Sequence, residues 1–100
     1  MAYEAGALDA TLSAAAGDDP TLFAELRAAF VDSLASHVNL LGRARCDGNW
    51  QVSAMRIKGL AASFQVWPLL LLAEEALICA PGEPVVIRKL QAFLGEIAAH

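Results

Sequence analysis

Apolar side chains recur every three or four residues along most of the chain, which is the spacing that places them on one face of an α-helix. The two most regular stripes lie in the second and the last predicted helices. Their members are Phe23, Leu26, Phe30, Leu34, Val38 and Leu41 in the former, and Val86, Leu90, Phe93 and Ile97 in the latter. A shorter stripe, with the same spacing, consists of Ala54, Ile57, Ala61 and Phe64. The pattern predicts an all-α protein.

Turn and capping residues divide this pattern into five helices. A short first helix contains Leu8 and Leu12 and ends near Gly17, and Asp19 is placed to cap the second helix, with Pro20 at its first position. We predict turns at Asp47-Gly48-Asn49 and at Pro81-Gly82. The four longer helices are then expected at about 20–45, 50–64, 68–79 and from residue 84 onward. The inward side of the fourth should hold Leu69, Leu72, Ala73, Ala76 and Leu77.

Four longer helices joined by short turns are typical of an antiparallel up-down bundle. With 100 residues, the chain has the length of one small domain, so we predict a single domain over 1–100 in which the first helix covers one end. The composition agrees, because 57% of the residues are hydrophobic but only 7% are aromatic, and strands favour aromatic and β-branched side chains.

The charge and the cysteines narrow the classes of function. A net charge of −4 and a pI near 4.9 argue against a nucleic-acid partner, because an acidic surface repels phosphates. The two cysteines, Cys46 and Cys79, form no CxxC pair and suit a reducing cytosol, although a disulfide between them is conceivable if the helix ends that carry them are neighbours. No signal peptide is expected, and the longest apolar run, 66–73, is far shorter than the ~20 residues of a membrane span. We therefore predict a cytoplasmic protein without a membrane segment.

One face of the third helix is unusual. Met55, Gly59 and Ala62 share a side of the helix away from its apolar stripe, and Lys58 borders that side. Glycine in a helix interior costs about 1 kcal/mol relative to alanine, so some compensation is expected. One explanation for the glycine is that another molecule approaches the helix closely at this point. The others are that Gly59 packs against a neighbouring helix, or that it is an inherited residue without a present role.

The segment 54–65, AMRIKGLAASFQ, resembles the signature of histidine-containing phosphotransfer (Hpt) domains, which reads roughly A-H-x-L-K-G-x-A-x-x-[LIF]-G. The matching positions are Ala54, Ile57, Lys58, Gly59, Ala61 and Phe64. The segments 18–23 and 30–32 are similar to the family's entry into its long second helix. This resemblance implies an antiparallel four-helix bundle with a short N-terminal helix, which agrees with the helices predicted from periodicity.

Two positions depart from the family's pattern. The phosphate-accepting histidine of the family falls on Met55, and a later glycine falls on Gln65. A thioether has no titratable nitrogen and does not take a phosphoryl group at physiological pH. The resemblance therefore implies a non-phosphorylatable, Hpt-like protein of a two-component phosphorelay, not an enzyme and without a cofactor or metal. Its partner would be the receiver domain of a response regulator or hybrid histidine kinase, bound through Met55, Arg56, Lys58, Gly59 and Ala62.

Other interpretations stay open at this point. Met55 and Lys58 are also compatible with an ordinary solvated surface. One of the two histidines of the chain, His37, lies near the apolar stripe of the second helix and is a weak candidate for a phosphate acceptor. Leu70 and Leu71 cannot both face the core that Leu69 and Leu72 face, so the fourth helix is expected to expose an apolar strip. Such a strip would suit a helical scaffold or a weak homodimer, in place of a monomer.

Overall fold

Five α-helices form the structure, a computed structural model that describes residues 6–99 except for the side chain of residue 7. The helices are α1 (Gly6–Ala16), α2 (Pro20–Arg43), α3 (Asp47–Ser63), α4 (Trp67–Leu77) and α5 (Pro84–Ala99). No strand occurs within those residues, so the all-α prediction is confirmed. The radius of gyration, 13.6 Å, is close to the ~13 Å expected of a compact domain of this length.

The start of α2 follows the predicted capping pattern. The Asp19 side chain accepts hydrogen bonds from the backbone N–H of Thr21 at 3.0 Å and of Leu22 at 3.1 Å. Pro20 occupies the first helical position, where its missing N–H costs nothing. These bonds satisfy two of the donors that a helix leaves free at its N-terminus.

The predicted turn at Asp47-Gly48-Asn49 was wrong, because these residues form the first turn of α3. Their turn-forming character is compatible with a helix N-terminus, where Asp47 faces the positive end of the helix dipole. The fourth helix likewise begins one residue earlier than predicted, at Trp67, with Pro68 in its first turn. At their C-terminal ends, α2 and α4 stop two residues before the predicted boundaries.

Helix α3 ends in a Schellman motif built on a residue other than glycine. Gln65 adopts a left-handed conformation with φ of 58°, and its N–H donates to the carbonyl of Ala62 at 3.2 Å. The N–H of Val66 reaches back to the carbonyl of Ala61 at 2.9 Å, which completes the motif. At the end of α1 the equivalent left-handed position is Gly17, with φ of 64°. Gln65 thus adopts a conformation that glycine adopts at lower cost.

The core is one cluster that joins all five helices. Each predicted stripe is buried along most of its length; the partly buried members, which pack against the core, are Phe23 and Leu26 at the start of α2, Phe64 at the C-cap of α3, and Leu72 and Leu77 on α4. Helix α2 packs against α1, α3 and α5, whereas α4 packs against α3 and α5. The fully buried core members of α3, α4 and α5 are Trp50, Ala54, Ile57, Ala61, Leu69, Ala73, Ala76, Val86, Leu90 and Ile97.

Trp50 connects α3 to α4 within this core. Its side chain is fully buried, and the indole N–H donates to the carbonyl of Ala76 at 2.7 Å. A buried indole N–H needs such an acceptor, because leaving it without one costs about 1–3 kcal/mol. The side-chain amide N–H of the next residue, Gln51, donates to the carbonyl of Leu77 at 3.2 Å. Together these bonds hold the start of α3 against the end of α4.

None of the helices in the described range is long and apolar enough to cross a membrane.

Candidate functional site

The outward side of α3, here called the α3 face, consists of Met55, Gly59 and Ala62. Met55 exposes 53% of its surface, and both small residues are exposed. On the opposite side of the helix, Ala54, Ile57 and Ala61 are fully buried. The sequence-based expectation that position 55 projects into solvent from a packed helix is therefore confirmed. The face is a flexible apolar side chain followed by two positions with almost no side chain.

Gly59 has no packing role in the helix pair. A Cβ atom built onto this glycine meets no atom of the described residues within 4 Å apart from its own stretch of helix, so the interpretation of Gly59 as a packing glycine is wrong. Its backbone is ordinary α-helix, so no left-handed conformation requires glycine either. Gly95, on α5, has equally empty surroundings. The intramolecular structure thus supplies no compensation for the helix propensity that Gly59 gives up.

Lys58 lies at the edge of the α3 face that borders α4. Its Nζ atom is 3.6 Å from a carboxylate oxygen of Glu74, and both side chains are partly exposed. An ion pair of this kind contributes about 0–1 kcal/mol, because water screens the charges and the long side chains lose freedom. Lys58 can therefore exchange Glu74 for another anion at little cost.

Arg56 lies on the other edge of the α3 face and lines an open groove between α2 and α3. The groove has a volume of about 490 Å³. Its lining combines aliphatic and cationic groups: Leu40, Arg43, Ala44, Asn49, Val52, Ser53 and Arg56. Leu40 and Val52 are among the large apolar side chains that remain exposed. Sequence reasoning missed this groove; the available signal was Val52, three residues before Met55 and on the same side of α3.

The charge of the molecule is divided unevenly along the chain. Residues 33–66, which contain the groove and the α3 face, hold four of the seven basic residues and one of the eleven acidic residues. This segment therefore carries +3 and the remainder of the chain −7, which together make the net charge of −4. The side of the molecule built by the end of α2 and by α3 is therefore less acidic than the rest, although Glu74 of α4, 3.6 Å from Lys58, offsets part of its positive charge.

His37 lies on α2 and has a half-buried side chain. Its Nδ1 atom is buried and has no hydrogen-bond partner within residues 6–99. Burial, and to a smaller extent the positive charge of Arg56, lower the pKa of His37 from its ordinary value. The imidazole is therefore neutral near pH 7, but its Nδ1 atom is closed to an incoming phosphoryl group.

The two thiols differ in their surroundings. Both cysteines are free; Cys46 is exposed and Cys79 is half-buried. Burial raises the pKa of Cys79, and the carboxylates of Glu75 and Glu83 raise it further, while Lys89 acts in the opposite direction. Cys79 is thus a protonated thiol and a poor nucleophile near neutral pH. Within the described helices and turns, no group of three His, Cys, Asp or Glu residues is arranged to hold a metal ion.

No family model, curated protein or solved structure matches the chain.

Proposed function

We propose that the chain is an Hpt-like protein that binds the receiver domain of a response regulator or hybrid histidine kinase without accepting its phosphoryl group. The observation that supports this most directly is Met55, which stands in the acceptor position of the motif and is half exposed on the outward side of α3. An exposed imidazole in the same place would be a phosphate acceptor, and a thioether is not.

We further propose that α2 to α5 form an antiparallel up-down bundle of the Hpt type. The helix contacts favour this arrangement, since α2–α3, α3–α4, α4–α5 and α5–α2 are the packed pairs and α1 packs on α2. A closed ring of four helices would make these contacts. The connections between consecutive helices of the ring have three, three and six residues, lengths that suit antiparallel neighbours.

The end of α3 also supports the resemblance. The motif has a glycine at the position of Gln65, and Gln65 is the residue that adopts a left-handed conformation there, with φ of 58°. Glycine is the residue that the closing turn of a helix prefers at this position. The backbone of this chain therefore has the shape that the motif's glycine favours, even though the glycine has been replaced.

Receiver binding would use the α3 face together with its basic edges. Gly59 and Ala62 leave room for another backbone to approach, and Met55 offers an adaptable apolar contact. Arg56 and Lys58 flank this apolar area within the segment of charge +3, which complements the acidic phosphorylation pocket that the resemblance implies for the partner. Because the α3 face and its two basic edges comprise only five residues, we expect a small and transient contact that buries less than about 1,200 Å².

The consequence for signalling follows from occupancy of the receiver. A protein that covers the pocket but takes no phosphoryl group competes with true carriers and lowers the flux through the phosphorelay, or it keeps the receiver in place. Both effects need the same contact. Binding is therefore the property to measure first.

Calorimetric titration of the protein with isolated receiver domains from the same cell tests the proposal. At least one receiver should bind wild type, and Gly59→Gln should abolish that binding because a long side chain then blocks the approach. Gly95→Gln is the matched control, since Gly95 is also helical, lies four residues from the end of its helix and has nothing within 4 Å of an added Cβ atom. Unchanged affinity of Gly59→Gln for a bound receiver would show that the α3 face is not the docking surface.

A second experiment examines the missing chemistry. Wild type incubated with a phosphorylated receiver should gain no acid-labile phosphate, whereas Met55→His should become labelled if the rest of the site is intact. Label on wild type would favour the alternative of an active phosphotransfer protein. His37→Gln would then identify whether His37 is the acceptor.

A further inference from the structure

The outer side of α4 exposes a second apolar surface, distinct from the α3 face. Trp67, Leu71 and Ile78 are 53%, 66% and 87% exposed. They are separated by four and seven residues, so they form one stripe along the helix and its C-cap, here called the α4 stripe. Glu74, which lies between Leu71 and Ile78 on the α3 side of the stripe, is paired with Lys58 of α3.

The α4 stripe is not a misplaced part of the core. The inward side of the same helix is complete, with Leu69, Ala73 and Ala76 fully buried. The three exposed side chains together present roughly 350–450 Å² of surface, which matches the largest apolar patches on ordinary monomers, and such patches are often functional.

We infer that the α4 stripe binds a second copy of this chain. A two-fold axis through the middle of α4 pairs the helix with its copy in antiparallel orientation. Trp67 of each protomer then packs on Ile78 of its partner, and Leu71 lies next to the axis. This is an isologous contact, the commonest kind in soluble oligomers.

The charges beside the stripe favour this occupant. On the α3 side lies the Lys58–Glu74 pair, and on the α5 side Lys89 Nζ lies 3.1 Å from a carboxylate oxygen of Glu75. An antiparallel two-fold arrangement brings each border against the same border of the partner protomer. Since each border contains one cation and one anion, it is complementary to itself, and neither border brings only like charges together.

The available area sets the strength of the contact. Two copies would bury roughly 700–900 Å² of apolar surface through these side chains, and the bordering ion pairs bring the total near the lower limit of a specific interface, about 1,200 Å². The free energy lost on association consumes much of what this area supplies. The expected product is a reversible dimer that forms in the micromolar range.

Sedimentation velocity tests the dimer, with concentrations from about 1 μM to about 1 mM that bracket a weak association. The mass of wild type should rise from one copy to two. Leu71→Glu and Ile78→Glu should each weaken association by ~10-fold or more, because each places a charge in the apolar contact. Val52→Glu is the matched control, since Val52 is 49% exposed but lies on α3 towards α2; it should leave the dimer unchanged. Circular dichroism confirms that each variant is folded.

Tryptophan fluorescence supplies an independent measurement. The chain has two tryptophans, of which Trp50 is fully buried and Trp67 is half exposed. With rising concentration, emission should shift to shorter wavelength and acrylamide quenching should decrease, and Trp67→Phe should remove both changes. A mass of one copy over the whole range, with concentration-independent emission, would overturn the inference.

This inference is independent of receiver binding, and the variants separate the two. Gly59→Gln should remove receiver binding and leave the mass of the dimer unchanged, whereas Leu71→Glu should do the reverse. If Leu71→Glu instead weakens receiver binding in a protein that is always monomeric, the α4 stripe is part of the receiver contact and the dimer is refuted.

Discussion

Replacing Gly59 by alanine should make the protein more stable. Among residues 6–99, an added Cβ atom at this position meets nothing within 4 Å beyond its own stretch of helix, so the substitution introduces no clash and fills no cavity. What remains is the difference in helix propensity, which arises because glycine loses more backbone entropy on folding than alanine does. In the interior of a helix this difference is about 0.8–1 kcal/mol, and Gly59 is four residues from the end of α3, where fraying reduces it slightly.

Urea denaturation followed by far-UV circular dichroism measures the effect. The midpoint should increase while the slope stays constant, because the surface exposed on unfolding barely changes. In a domain of this length, a gain of 1 kcal/mol corresponds to a rise in Tm of about 4–8 °C. Gly95→Ala should give a similar gain, since that glycine lies in equivalent surroundings at the same distance from the end of α5.

The comparison of the two alanine variants separates stability from function. Both variants should be more stable than wild type, but only Gly59→Ala should weaken receiver binding. The added methyl group of that variant alone lies on the α3 face, where it reduces the room for the partner's backbone. A loss of stability on Gly59→Ala, with the expected gain on Gly95→Ala, would refute the reasoning. It would mean that Gly59 makes a close contact within the folded chain, so that no outside partner is needed to account for it.

Three further predictions concern the scaffold. Gln65→Gly should stabilise the protein by about 0.5–1 kcal/mol in urea denaturation, because φ at this residue is 58° and glycine adopts that conformation at lower cost; a destabilised variant would contradict this. Trp50→Phe should lower stability by about 1–3 kcal/mol, since the bond of the indole N–H to the Ala76 carbonyl is lost and the smaller ring leaves space in the core, while that carbonyl still accepts from the N–H of Cys79 at 3.1 Å; a change below about 0.5 kcal/mol, measured in the same way, would argue against that bond. Burial and Arg56 lower the pKa of His37 in the folded protein, so the imidazole binds a proton more readily in the unfolded chain. The contribution of His37 to the free energy of unfolding should therefore be complete above about pH 6.5, the ordinary pKa of histidine. It should be lost as the pH falls from there through the lower pKa of the folded state. Denaturation series on either side of that pH should show a smaller acid loss in His37→Gln, and an equal loss would refute the role of His37.

The periodicity of apolar residues by itself predicts the helical content and most of the core. A residue's position within a helix decides which side it shares with its neighbours, and that side is set by the spacing of apolar residues alone. The stripes of α2, α3 and α5, the cap at Asp19 and the outward direction of Met55 all followed from local sequence. The exposure of Leu71 was also foreseeable, because four consecutive leucines cannot all point to one core; Leu70 instead packs against the core, and the exposure of Trp67 and Ile78 was not predicted.

Tertiary structure decided what lies beside each of those faces. Which helix borders an edge depends on how neighbouring helices are rotated and shifted, and apolar spacing carries no information on this. The Lys58–Glu74 pair, the groove between α2 and α3 and the bond from Trp50 to Ala76 therefore appear only after the helices are packed. The empty space around Gly59 was decided in the same way, since whether a helical glycine is a packing contact or an open surface depends on atoms from distant parts of the chain.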